Sequence, residues 1–371
     1  MKFSECVEIV GSKPSRYQGI KQYVSTGALD SDHIDENSIE EYAYDDRPSR
    51  ADLVAEAGNV LFAKMAETKK TLVINNQNEK YLFSTGFFAV KPKKNVLTTE
   101  CLYYLLNSNT FLSQKDKYSS GATQKAISNA SLEKIIVNIP CFSKQEDIVK
   151  QLDKLSNIIK KTRKQLLNFD LLIKSRFIEM FGDPVENPKQ WNIVKLKSLT
   201  AKIGSGATPK GGRESYISEG ISLVRSMNVY KVFFEYEGLA HITEAQAKEL
   251  DNVTLQENDV LINITGASVA RCCILPKDVL PARVNQHVSI LRATEKLNPV
   301  YLSNLLISDT EQRVLLGIGG AGGATREAIT KTELESLDIP VPPLELQQQF
   351  AAFVQQIDKS KFEYTNTGVE A

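Results

Sequence analysis

Between residues 143 and 180, apolar side chains recur at alternating steps of four and three. They are Ile148, Leu152, Leu155, Ile159, Leu166, Phe169, Ile173 and Met180, with Thr162 and Arg176 in the two polar places. That spacing predicts one long helix with a narrow apolar seam, and such a seam needs a partner helix. At 1.5 Å per residue the helix would span roughly 55 Å. Gly182-Asp183-Pro184 ends it, because glycine suits the C-terminal cap and proline cannot continue a helix. A second, shorter stripe of Phe350, Val354 and Ile357 predicts a partner over about 344–362. Lys361 breaks its seam.

Elsewhere the pattern changes to short β-branched and aromatic runs bounded by turn formers, at 72–74, 81–83, 87–90, 260–264, 272–275 and 288–291. Alternation along the 272–275 run points the adjacent Cys272 and Cys273 to opposite faces. A short helix follows in each half. Thr98 or Thr99 caps the first, and Asn298 with Pro299 opens the second.

These two halves repeat one another. Residues 121–127 read GATQKAI and 323–329 read GATREAI. The match runs on through Leu132-Glu133 and Leu334-Glu335, Pro140 and Pro342, and Gln145 and Gln347. Val60-Leu61 echoes Val260-Leu261, Leu105-Leu106 echoes Leu305-Leu306, and Gly19-Ile20 echoes Gly220-Ile221. A period this long exceeds the roughly 20–50 residues of solenoid repeats, so it implies two whole domains of one kind.

Composition adds little to this. The 371 residues are 42% hydrophobic and 24% charged, ordinary for a globular chain. With 45 basic and 45 acidic residues the net charge is zero, which argues against a purely electrostatic nucleic-acid binder. The charge is uneven: residues 1–58 are acidic and 59–142 lysine-rich. No apolar run is long enough to span a bilayer, and MKFSECVEIV lacks a signal peptide's apolar core. The five cysteines form no CxxC pair. A cytoplasmic protein with reduced thiols, away from membranes, is the expectation.

Catalytic motifs fail on context. Residues 317–322 spell GxGxxG, but a helical run over 301–316 precedes them where a dinucleotide fold needs a strand. Residues 204–210 resemble a phosphate-binding loop, but Pro209 replaces the second glycine. His33, His241 and His287 belong to no metal or catalytic cluster, and each reads as a surface or packing residue. The expectation is a protein with no active site, metal or cofactor.

What remains are polar loops repeated once per half. The second opens with the glycine-rich 203–213, whose backbone N–H groups, Thr208, Lys210 and Arg213 suit phosphate oxygens. Lys13, Arg16 and Tyr17 form a reduced version in the first half, and Lys69 and Lys70 of its lysine-rich stretch are further candidates. Arg225 and Asn228 follow a strand-like 221–224 and carry the side chains that pair with guanine and adenine edges. The alternative for Arg225 is an ion pair with Glu214. The repeated Thr123-Gln124-Lys125 and Thr325-Arg326 complete a set of candidate DNA contacts.

The order of these features resembles the specificity subunit of type I restriction–modification systems over nearly the whole chain. Its signs are the TPKGG opening, G-I-S-x-x-R-S-x-N, Asn285-Gln286, GAT-x-x-AI, I-P-V-P-P-L-x-x-Q, the long helix and Phe-Gly-Asp-Pro at 181–184. The resemblance implies an α+β fold: two similar mixed α/β target-recognition domains joined by long antiparallel coiled-coil helices, an internal pseudo-two-fold repeat. The domains would be 1–142 and 185–342, with the central helix at 143–184 and the second helix and tail at 343–371. The packing residues would be Ile148, Leu152, Leu155, Ile159, Leu166, Phe169, Ile173, Phe350, Val354 and Ile357. Each domain would read half of a bipartite site on double-stranded DNA. The helices would set the spacing and dock two modification (methyltransferase) subunits, with restriction subunits joining that core. A non-catalytic scaffold with protein-binding end domains is the alternative. Two features depart from the family pattern: the second helix is short, and the first domain lacks the Gly-Ala-Thr-Pro-Lys text.

Overall fold

The computed structural model describes residues 1–320 and 328–367, with side chains as far as residue 364. The chain divides into two compact units, Met1–Ile158 and Ile159–Ala371.

Each unit is built on a four-stranded antiparallel sheet. In the first unit the strand order is Val7–Val10, Phe87–Pro92, Val60–Ala63, Thr71–Val73. In the second it is Thr200–Ser205, Val288–Ala293, Val260–Asn263, Cys272–Ile274. Both sheets are covered on both faces, so their central strands, Val60–Ala63 and Val260–Asn263, are buried at every position rather than alternating. Val60 and Phe62 lie in one core, and Leu61 and Ala63 in another on the opposite side. Cys272 and Cys273 divide the same way, as the alternation predicted. A three-stranded sheet covers one face in each unit. Ile20–Val24 pairs antiparallel with Glu40–Ala43 and parallel with Leu82–Phe83; Ile221–Val224 pairs antiparallel with Ala240–Ile242 and parallel with Ala282–Val284. Identical strand order and sense in both units are the structural form of the sequence repeat.

The other face is covered by short helices. Thr98 caps Thr99–Leu106 by accepting from the Cys101 N–H, and Asn298 caps Pro299–Leu306. The single helical run read over 301–316 is two helices, because the chain restarts at Ser308 before Asp309–Gly320. The matched glutamines now have a cause. Gln145 is fully buried; its Oε1 accepts from Thr98 N–H at 2.9 Å and its Nε2 donates to the Val96 and Pro140 carbonyls at 2.8 and 3.1 Å. Gln347 does the same with Asn298 N–H at 2.8 Å and the Pro342 carbonyl at 2.8 Å. Each amide ties the first turn of a long helix to the cap of a short one. It satisfies helix-end groups that burial would otherwise leave unpaired.

The central helix runs unbroken over Phe142–Phe181. In the second unit its last turns meet the second long helix, Leu344–Thr367, which extends about a turn beyond the expected end. Phe177 and Phe181 pack on Phe350 at 5.5 Å between ring centroids in each pair, and Phe169 meets Tyr364 at 6.5 Å. One number falls as the other rises, so the helices run antiparallel. Ile173, Phe350 and Ile357 are buried in this core, with Phe169 and Val354 packed against it. The polar break at Lys361 has a partner across the seam, Asp170 at 2.8 Å. Gly182 turns the chain at φ +79°, and the Trp191 indole donates to the Phe181 carbonyl at 2.8 Å.

The packing set needs correction at its middle. Ile148, Leu152 and Leu166 are half-buried, but Leu155 and Ile159 are 49% and 51% exposed. The second helix is too short to reach them. Their seam is present but bare.

Candidate nucleic-acid interface

In the second unit the strand Thr200–Ser205 leads directly into the glycine-rich loop. A Cβ on Gly206 would lie 1.8 Å from the Val284 carbonyl oxygen, so only glycine brings this loop against the Ala282–Val284 strand. The approach starts a chain of side-chain contacts. Thr208 Oγ1 donates to Gln286 Oε1 at 2.5 Å, Gln286 Nε2 reaches His287 Nε2 at 3.1 Å, and His287 Nδ1 reaches Thr265 Oγ1 at 2.6 Å. With the Gln286 oxygen toward Thr208 and its nitrogen toward His287, the ring accepts at Nε2 and donates from Nδ1. The Thr265 hydroxyl is then left to donate outward.

Thr265 faces a cleft of about 620 Å³ that also has Ser226, Ser268, Arg271 and His287 in its wall. No carboxylate lines it among the described residues. The Arg271 guanidinium lies 4.7 Å from the Tyr230 ring centroid and has no ion-pair partner among the described residues. Asn263 is fully buried beneath; its Nδ2 donates to the Ser226 and Val229 carbonyls at 2.9 and 3.1 Å, fixing the Ser226 wall. Three hydroxyls, a histidine and a free cation, with no acid, match phosphate oxygens and base edges. A cleft of about 920 Å³ in the first unit has the opposite character. Asp32, Glu36, Glu100 and Asp153 line it. Burial, helped by the nearby Asp32 carboxylate, pushes the Tyr103 phenol up to about 12. Its charge would repel phosphate.

The residues expected from sequence are distributed unevenly. Thr208, Lys210 and Arg213 are exposed on the glycine-rich loop, and neither cation is in an ion pair among the described residues. Arg225 is half-buried. Its guanidinium donates to the Gly238 carbonyl and lies 5.3 Å from the Tyr216 ring, so the alternative pairing with Glu214 is not formed. Asn228 is corrected as a base contact. It is fully buried, its Oδ1 accepts from Arg225 N–H at 3.0 Å, and its Nδ2 donates to the Glu235 carbonyl at 2.9 Å. The asparagine shapes the loop rather than meeting a ligand. Thr325 and Arg326 lie outside the described residues.

In the first unit Lys13 pairs with Asp52 at 3.4 Å, Arg16 with Asp45 at 2.7 Å, and the Tyr17 hydroxyl donates to the Tyr42 carbonyl at 3.1 Å. The Lys70 ammonium donates to the Thr26 carbonyl at 2.8 Å, while Lys69 is exposed. Thr123, Gln124 and Lys125 form an exposed tip closed by the Ser120–Ala126 bridge, with Gln124 reaching Met65. A Cβ on Gly121 would meet the Gln124 carbonyl oxygen at 2.3 Å, which explains the glycine of the repeated word.

The alanines near the end of the two repeated words, Ala126 and Ala328, occupy equivalent places. Ala126 bridges Met65, and Ala328 bridges Thr265. Lys64 N–H donates to Gly86 O at 2.9 Å, as Ile264 N–H does to His287 O at 3.0 Å. Met65 and Gly86 thus stand where the second unit has Thr265 and His287. The scaffold is shared and the side chains facing outward are not. Sequence reading missed Thr265, Ser268 and Arg271 and set His287 aside, because no spacing links them; only the neighbouring Asn285-Gln286 lay in a recognised motif.

Comparison with known proteins agrees. The family described as type I restriction modification DNA specificity domain matches residues 15–168 and 188–370. A Methanocaldococcus jannaschii chain named for the specificity subunit of type I restriction enzyme MjaX is 25% identical over 321 residues, 81% of this chain and 72% of that one. The MjaIX specificity subunit of the same organism is 24% identical over 290 residues, 73% of this chain and 65% of its own length, so the match leaves about a third of that relative uncovered. The type I restriction–modification S subunit of M. genitalium shares the fold, with a TM-score of 0.58 at 12% identity over 100% of this chain and 91% of that one. The chain therefore belongs to the family of type I restriction–modification specificity subunits, which recognise DNA and do not themselves catalyse.

Proposed function

We propose that each unit reads one half of a bipartite site on double-stranded DNA. In the second unit the reading surface is the Thr265–Arg271 cleft, flanked by the Thr208–Arg213 loop. The observation that carries this is the cleft's chemistry: hydroxyls, His287 and Arg271 without a carboxylate among the described residues, with Ala328 in its wall. Lys210 and Arg213 hold phosphates, and Thr265 and Arg271 meet base edges. In the first unit the corresponding surface is the Gly121–Lys125 tip with Lys69. The different residues at the Met65/Thr265 and Gly86/His287 positions give the two halves different targets.

The bare seam around Leu155 and Ile159 takes helices of modification subunits, two per chain, and restriction subunits join that core. These residues are apolar, regularly spaced and not covered by the chain itself. The test is duplex binding by the chain assembled with its modification subunit, across a salt series. Methylation mapping in a host carrying the system first identifies the site. Arg271→Ala is expected to lose about 1–3 kcal/mol of discrimination at one base pair of one half-site. Unchanged discrimination in a folded assembly would remove Arg271 as a reader. Equal binding to all sequences by the unaltered assembly would sink the proposal.

A further inference from the structure

The two units differ at one buried place where shared architecture predicts sameness. In the first unit Phe3, Phe62 and Phe111 form an aromatic cluster, with centroids 5.0 Å apart for Phe3–Phe111 and 5.4 Å for Phe62–Phe111. Beside it Gln114 bridges to Ile136. Its Nε2 donates to Ile136 O at 2.7 Å, and its Oε1 accepts from Ile136 N at 2.9 Å. The equivalent residues of the second unit follow from the sequence match and from shared hydrogen bonds. Ser308-Asp309-Thr310-Glu311 aligns with Ser108-Asn109-Thr110-Phe111. Leu196 N–H donates to Leu337 O at 2.9 Å, as Phe3 N–H does to Ile135 O at 2.9 Å. Phe3, Phe62 and Phe111 therefore become Leu196, Ile262 and Glu311. The bridging Gln114 becomes Val314, and Ile136 becomes Asp338.

The consequence is an open cleft of about 430 Å³ with Glu311 in its wall. Glu311 is only 4% exposed. No group donates a hydrogen bond to its carboxylate among the described residues, and no cation pairs with it. Its acidic neighbours are all engaged. Asp338 pairs with Lys195 at 2.7 Å, Glu333 accepts from Thr330, and Asp183 accepts from the Val185 and Glu186 N–H groups. The rim is apolar and open to solvent, with Val185 49%, Ile193 52% and Val314 37% exposed. A buried carboxyl without a partner is costly, and the first unit shows that this fold accepts phenylalanine at the same position.

We propose that this cleft is a socket for an arginine side chain of the modification subunit, which pairs with Glu311. Arginine fits because its guanidinium stays charged when desolvated, forks onto a carboxylate and follows an apolar stem. Nucleic acid is excluded by the acidic wall. A small free amine would leave the apolar rim uncovered, whereas a protein segment covers it. The cleft begins at Pro184 and Val185, immediately after the central helix. The partner's identity, though not the socket's chemistry, rests on the specificity-subunit reading.

Two measurements on the full chain test this. Titration with N-acetyl-arginine amide, followed by calorimetry, is expected to show saturable millimolar binding. N-acetyl-norleucine amide should not bind, and Glu311→Phe should abolish the arginine signal. Assembly with the purified modification subunit is expected to weaken by at least about tenfold in Glu311→Phe. Val314→Gln, which introduces the first unit's glutamine at the mouth of the cleft without touching the acid, should weaken it too. A chain that formed the complex but bound no arginine amide would overturn the socket. If both variants assembled normally while arginine amide still bound, the partner assignment would fall. Self-association of the chain that Glu311→Phe removed would likewise reassign the occupant to a second copy.

Discussion

Replacing Glu311 by glutamine should change the pH dependence of stability in a calculable way. Burial, reinforced by the Asp183 and Asp338 carboxylates, pushes the Glu311 carboxyl from 4.5 up to about 7. Asp338 is itself paired with Lys195, and Glu333 also faces the cleft, so the nearby charge is mostly negative. The folded chain thus holds a proton that the unfolded chain releases. A raised carboxyl pKa contributes stability below the unfolded value, and that contribution is lost as pH rises through the folded value. The window is about pH 4.5 to 7. At about 1.4 kcal/mol per pKa unit, the upward shift corresponds to about 3 kcal/mol. Glutamine cannot titrate, so the stability gap between Glu311→Gln and the parent should move in the variant's favour by about that amount between pH 4.5 and 8.5. For a unit of this size that is roughly 6–12 °C in melting temperature. Denaturant titration of both chains at several pH values reads it directly. A gap that stayed constant across that range would refute the reasoning, since an acid solvated or paired in the folded state would show none of it.

Four other outcomes follow from the same structure. Gln347→Leu should destabilise the second unit by about 2–5 kcal/mol, because it orphans the Asn298 N–H and the Pro342 carbonyl, and faster hydrogen exchange at Asn298 would locate the loss. Leu155→Glu and Ile159→Glu should leave the melting temperature of the isolated chain nearly unchanged yet prevent co-purification with the modification subunit; a large drop in stability would show that the seam is covered after all. Lys210→Ala should weaken binding to every duplex alike and lower the salt slope by about 1, in contrast to the base-specific effect of Arg271→Ala. Exchanging residues 192–342 for those of a relative should change one half-site in a methylation map and leave the other, and simultaneous change of both would defeat the modular reading.

Much of the architecture was readable because it rests on periodicity. The seam from Ile148 to Met180 gave the long helix to within a residue at each end, and the β-branched runs located some of the sheet strands but not Val7–Val10, Val60–Ala63 or Thr200–Ser205. The repeated Gln145 and Gln347 marked equivalent places before their hydrogen bonds were known. The interface was harder to read. Asn228 has the right side chain for a base edge, but burial in the loop it caps is a tertiary fact that spacing does not encode. Thr265 and His287 meet at 2.6 Å across 22 residues of chain because two strands of one sheet end side by side. Glu311 drew no notice within the helical run read over 301–316; its counterpart proved to be a core phenylalanine.

The uncovered seam also bears on how much of this chain a cell can hold. Leu155, Ile158 and Ile159, with Leu167 and Leu171 on another side of the same helix, present apolar surface to water in a chain that is otherwise folded. To a chaperone or protease, such a stretch is indistinguishable from a failure to fold. An orphan copy would be removed, and a copy with its helix covered would persist. The abundance of the recogniser is then set by the supply of whatever covers that helix. Excess recognition subunits would not accumulate to occupy sites without the means to modify them.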